Sequence, residues 1–219
     1  LEDQLKQVHP KLKIAATNVG SLGGLLALQR GETHIAGTHL LDAETGAYNI
    51  PDIRRTIPKI PLVLVHLARR EQGILVARGN PKSVRGLQDL ARKGVRFVNR
   101  QPGSGTRVLL DYELKRLGIA AASISGYERE EFTHMAVGVA IASGLADAGL
   151  GVRAAAQALA LDFISVASEE YDLLVARSFF ESARGDQLFK IVCADGFKCA
   201  VSALGGYDAA RAGDVLYCQ

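Results

Sequence analysis

Polar and apolar positions along the chain fall into short β-rich apolar runs separated by longer helical patterns, the alternation of α/β folds with parallel strands. Residues 1–8 are amphipathic and read as a helix that ends near Pro10, and 12–16 read as a strand. A glycine-rich loop over 20–24 precedes a helix over 25–30, closed by Gly31 in the left-handed conformation that glycine tolerates. Strands are expected over 34–37, 60–67 and 73–78. The turn Gly79-Asn80-Pro81 leads to a helix over 84–93 with Gly94 behind it, then to a strand over 95–99. A polar glycine-rich loop follows, and a long helix over 106–117 ends at Gly118. The order strand, loop, helix repeats at 124–127 with 133–143 and again at 146–150 with 152–161. Strands over 163–166 and 173–176 and a helical stretch over 178–192 complete the pattern.

The chain has no low-complexity segment, internal repeat or flexible linker. Two lobes would therefore be joined by strands that cross between them, near 73–78 and near 162–171. That places one lobe over 1–76 and 172–219 and the other over 77–171. A length of 219 residues lies between one and two domains, and 48% hydrophobic with 22% charged residues is ordinary for a globular protein. The longest apolar runs, such as 60–65, stop well short of the roughly 20 residues of a membrane helix. Residues 1–8 lack the apolar core of an export signal, so a cytoplasmic location without membrane association is expected. The formal charge of +3 is spread along the chain, and its tightest basic cluster, Arg69-Arg70, is followed by Glu71. Direct nucleic-acid binding by this segment is not expected. Cys193, Cys199 and Cys218 have no CxxC spacing and read as reduced thiols, with one disulfide among them the competing reading.

The sharpest chemical signal is Asn99-Arg100-Gln101-Pro102-Gly103-Ser104-Gly105-Thr106-Arg107, between a strand and a helix. Its glycines allow close backbone approach, Ser104 and Thr106 offer hydroxyls, and the first helical turn offers unpaired N–H groups, a combination suited to an anion. Capping of the helix by Ser104 or Thr106 is the competing reading. The phosphate-cradling GxxxxGK[ST] pattern and GxGxxG are both absent. Asn18-Val19-Gly20-Ser21-Leu22-Gly23-Gly24, Gly37-Thr38-His39 and Phe132-Thr133-His134 are further hydroxyl-bearing loops at the ends where open α/β sheets bind ligands. His39 and His134 lack metal-ligand spacing and read as anion donors or as partly buried histidines. Asp147 reads as orienting a neighbouring loop rather than as a base. Neither Ser21 nor Ser104 sits in GxSxG, so no catalytic residue and no enzymatic activity are expected.

The strings at 19–24, 30–42 and 46–49, with Arg70-Glu71-Gln72-Gly73, Gly79-Asn80-Pro81, the loop at 99–107, Ser143 to Gly151 and Leu161-Asp162-Phe163, resemble the PBP-like domain. That domain accompanies helix-turn-helix regulators and molybdopterin-biosynthesis proteins of the MoeA type, and the resemblance extends to about Val175. It implies a type II periplasmic-binding-protein-like α/β fold: two lobes, each a mainly parallel sheet flanked by helices, joined by a strand hinge that closes on a ligand. By similarity to molybdate- and tungstate-binding proteins, Ser21 and Thr38 would serve the site from one lobe. Ser104, Thr106 and Thr133 would serve it from the other, with Arg100 as cationic partner, and His39, Gly105 and His134 are further candidate contacts read from their loops. No cofactor is implied beyond a bound molybdate, tungstate or other oxyanion, and no metal. The resemblance allows an attached DNA-binding domain and a homodimer. Such domains begin with a strand and a hydroxyl-bearing loop, whereas this sequence starts at what reads as the first helix, which implies a fragment. An enzyme acting on a molybdopterin-type intermediate and a ligand-free structural or dimerisation domain are the alternative functions.

Overall fold

The computed structural model describes residues 1–42 and 44–219, which divide into two compact units. The first comprises Leu1–Arg69 and Glu170–Gln219, the second Arg70–Glu169. Both divisions fall inside a strand, β2 (Leu62–Val76) and β6 (Asp162–Ala176). Each of these strands is unbroken where the sequence pattern suggested two short ones. The interrupting polar residues are paired: Arg70 Nε donates to Glu169, Gln72 Nε2 donates to Glu169 Oε1 at 3.1 Å, and Arg69 Nε donates to Glu170 Oε1 at 3.4 Å. Paired in this way, charged side chains let the extended backbone continue.

In the first unit α1 (Glu2–Val8) and α2 (Gly20–Gln29) precede β1 (Ile35–Thr38) and α3 (Ile50–Thr56). The early part of β2 is apolar on both faces. Val63 and Val65 pack with Leu5, Leu188 and Val192, while Leu62 and Leu64 pack with Leu25, Leu28 and Ile53. Alternate side chains of a strand point to opposite faces, so helices cover both, which explains a continuous apolar run. The unit closes with α7 (Arg177–Phe180), α8 (Ala183–Cys193), α9 (Asp195–Ser202), β7 (Tyr207–Asp208) and β8 (Val215–Cys218). Cys193, Cys199 and Cys218 are free and exposed.

The second unit contains β3 (Phe97–Arg100), α4 (Gly105–Arg116), β4 (Glu130–Glu131), α5 (His134–Ala142), β5 (Ala148–Val152) and α6 (Arg153–Ala158). Its sheet too is covered on both faces. Ile74 and Val76 meet Leu110 and Leu114 of α4, while Leu75 and Val98 meet Val137 and Ile141 of α5.

Strand pairing is mixed rather than mainly parallel. β1 with β6, β8 with β2, and β5 with β2 are antiparallel, whereas β3 is parallel to both β5 and β4. The expected loop over 20–24 belongs to α2. Its glycines signalled flexibility, yet a Cβ on Gly24 would come within 2.9 Å of the Ala36 Cβ, so this position serves close packing of α2 on β1. Residues 12–16 carry no strand, 84–93 reduces to a 3-10 turn over Leu87–Ala91, and 124–127 is turn. α3 was not expected from the pattern, although Pro51 stands in its first turn, where a missing N–H costs nothing. Among the described residues no helix is long and apolar enough to cross a membrane.

Candidate functional site

In the second unit the glycine-rich loop turns β3 into α4. Ser104 caps that helix, its Oγ accepting from Arg107 N at 3.2 Å. A hydroxyl that accepts keeps its own proton for a further acceptor. Thr106, 1% exposed, accepts from Gln72 Nε2 at 2.9 Å and likewise keeps its proton. Gly105 opens the helix, and the N–H groups of this first turn have no intrahelical acceptor.

Three arginines converge on this turn. Arg100 is 6% exposed at the end of β3, its Nε donating to Gln101 Oε1 at 3.2 Å and its Nη2 to the Phe132 carbonyl at 3.0 Å. Both acceptors are neutral. Burial, and next to it the charge of Arg70, hold the Arg100 guanidinium down at about 10, while Glu169 opposes the shift. Arg70 is ion-paired with Glu169. Arg107 donates from Nη1 to the Arg100 carbonyl at 3.2 Å, stacks 4.0 Å from the Tyr127 ring centroid, and lies 3.5 Å from both Glu130 and Asp111. Burial, and then the hydrogen bond to Asp111, push the Tyr127 hydroxyl above its ordinary range.

Thr133 caps α5, accepting from Ala136 N at 2.9 Å, and follows the Phe132 carbonyl that Arg100 holds. His134 packs beside Gly151 of β5. The structure thus brings Arg100, Ser104, Gly105 and Thr106 together and ties the start of α5 to them through Arg100.

In the first unit Ser21 stands in the first turn of α2, which has no side-chain cap, and its Oγ accepts from His39 N at 3.3 Å. Thr38 is fully buried, and its hydroxyl proton goes to Asn49 Oδ1 at 2.9 Å, so that donor is spent inside the protein. Asn49 also accepts from Leu40 N at 2.8 Å and donates from Nδ2 to Asp172 Oδ2 at 2.7 Å. Its backbone has φ 62 and ψ −54, and Ile50 N donates to Tyr48 O at 2.7 Å across it, a γ-turn rare in proteins. The His39 ring lies 5.6 Å from that of Tyr171, whose hydroxyl end passes so close to Gly37 that a Cβ there would require the tyrosine to shift.

Sequence reasoning missed Arg70, Gln72, Glu169, Asn49 and Asp172 as site components. For all but Asn49 the usable signal was a charged or amide residue inside a strand-like apolar run. Asp147 orients structure: its carboxylate accepts from Arg96 N at 2.9 Å and from Arg96 Nε and Nη2 at 3.0 and 2.8 Å. A wide depression of about 420 Å³ in the first unit, lined by His34, Phe179 and Arg184 among others, contains none of the expected site residues.

The description "PBP superfamily domain" matches residues 2–192. An uncharacterised protein of Bacillus subtilis, YvgK, is 38% identical over 201 residues, which is 90% of this chain and 63% of that protein. The chain thus spans less than two thirds of that relative's length. Among solved structures, one from Clostridium perfringens is described as a phosphate ABC transporter substrate-binding protein with bound phosphate. It superposes with a TM-score of 0.68 at 12% identity, covering 94% of this chain and 91% of the other. The substrate-binding domain of a protein described as a molybdenum ABC transporter, from Clostridium difficile, gives 0.57 at 13%, covering 94% and 90%. At these identities the likeness is one of fold.

Proposed function

This chain belongs to the PBP superfamily as a ligand-binding domain, and from that premise we propose that its ligand is a small oxyanion held at the α4 N-terminus. The observation that carries this reading is Arg100: a buried guanidinium whose hydrogen-bond acceptors are both neutral, next to a second buried arginine. An oxyanion there would give that guanidinium a charged acceptor. It would also take the protons of the Ser104 and Thr106 hydroxyls and the first N–H groups of α4. The uncapped first turn of α2 with Ser21 is a second anion-suited feature, in the first unit. The likeness to phosphate- and molybdenum-linked binding proteins supports the class, and the role would be to sense or hold the anion within a regulator or a molybdenum-cofactor assembly protein.

Calorimetric titration with phosphate, sulfate, molybdate and tungstate tests this reading. At least one should bind, and Arg100→Ala should weaken it more than tenfold, because a charge-assisted hydrogen bond contributes about 1.5–3 kcal/mol and tenfold is about 1.4 kcal/mol. Unchanged affinity in the variant would assign Arg100 a structural role, and no binding of any of the four would end the oxyanion reading.

A further inference from the structure

A second cluster lies in the first unit and shares no residue with the α4 turn on which the oxyanion reading rests. His66 of β2 and Asp172 of β6 are 3% and 1% exposed, and Glu170, half-buried, stands beside them. His66 Nδ1 is 2.9 Å from Asp172 Oδ1 and 3.5 Å from Glu170 Oε2, and one ligand atom from each residue lies within 4.8 Å of the others. Two donors bound to one zinc ion at about 2.0–2.2 Å are themselves roughly 3–3.5 Å apart, and the two distances from His66 lie near that range, the shorter being a hydrogen-bond distance as well.

The surroundings fix both carboxylates for that task. Asp172 Oδ2 accepts from Asn49 Nδ2 at 2.7 Å, which leaves Oδ1 turned to the histidine. Glu170 Oε1 accepts from Arg69 Nε at 3.4 Å, which leaves Oε2 turned the same way. Outer hydrogen bonds of this kind orient the ligands of metal sites. The cluster opens on a cavity of about 90 Å³ lined by His66, Arg69, Glu170, Asp208 and Arg211. Water can enter a polar space of this size and complete a coordination shell. The cavity lining carries two arginines and two carboxylates, and both arginines are paired, Arg211 with Asp214 at 2.9 Å and Arg69 with Glu170 at 3.4 Å.

We propose that His66, Glu170 and Asp172 bind one divalent transition-metal ion, with Zn²⁺ as the best match to one imidazole and two carboxylates. The site holds three protein ligands and leaves its remaining positions to water from the cavity.

The full chain, stripped with a chelator and with Cys193, Cys199 and Cys218 alkylated, is titrated with Zn²⁺ by calorimetry and with Co²⁺ by visible absorption. One ion should bind per chain, and the cobalt bands should lack sulfur-to-metal charge transfer. Glu170→Gln, at a half-exposed position, should weaken Zn²⁺ at least tenfold while circular dichroism stays unchanged. His66→Gln serves as the second variant and should do the same. Absence of one-to-one binding up to millimolar Zn²⁺ in the alkylated protein would overturn the site. So would Zn²⁺ affinity indifferent to Glu170→Gln. Oxyanion titration of the same variant separates the two readings, because failure at one site leaves the other untouched.

Discussion

Asn49 shows how much can rest on one residue. Its side chain satisfies the Thr38 hydroxyl, the Leu40 amide and the Asp172 carboxylate, all buried, while its backbone sits at positive φ in a strained γ-turn. Replacing it by Ala leaves three buried groups without partners and keeps the unfavourable φ. Asn49→Ala should therefore destabilise the protein by about 3 kcal/mol in urea unfolding. A loss below about 1 kcal/mol would mean that water replaces the amide. Nothing in the periodicity pointed to this residue, because a γ-turn has no hydrophobic pattern. Ser104 and Thr133 were legible for the opposite reason: a hydroxyl just before a helical run is a local signal, and both cap as their position implies. Arg100 was legible in its motif, yet its burial and the company of Arg70 depend on residues distant in sequence.

At the scale of elements, local patterns identified α4 and α5 well and the long strands poorly. β2 and β6 looked broken because Arg69, Arg70, Glu169 and Glu170 punctuate them, and a single sequence cannot reveal that these residues pair with one another. The glycines of α2 misled for a similar reason, since close approach to Ala36 is a tertiary fact. The starts of β3 and β5 are held by another long-range pair, Arg96 with Asp147. The hydrogen bonds from Arg96 keep the Asp147 carboxyl below its ordinary value. A carboxyl whose folded value is depressed contributes stability above the ordinary carboxylate range and loses it as pH falls through the folded value. Arg96 is half exposed, so solvent discounts the pair, and Asp147→Asn should cost about 1 kcal/mol at neutral pH. Denaturation of variant and parent across pH checks this: the gap should narrow below about pH 4. A gap independent of pH would show that the carboxamide's geometry, not the lost charge, is responsible.

For the whole molecule, the buried charges of the second unit link binding to stability. An oxyanion that binds only the folded chain stabilises it by RT ln(1 + [L]/Kd), about 2.7 kcal/mol at a hundredfold excess over Kd. For a chain of this size each kcal/mol raises the thermal midpoint by about 2–4 °C, so the bound protein should melt about 5–10 °C higher. The same anion concentration is only a tenfold excess for an Arg100→Ala variant weakened tenfold, which leaves about 1.4 kcal/mol and roughly half the shift. Without anion the balance is different. The wild type then bears the cost of a desolvated guanidinium facing Arg70, which the two hydrogen bonds to Gln101 and Phe132 offset only in part. Arg100→Ala should therefore lose little stability in anion-free buffer while losing much of the anion-induced shift, and thermal scans of both proteins with and without anion check this. If the variant melts far lower in anion-free buffer and the shift survives, Arg100 holds the fold together and the ligand's charge is met elsewhere.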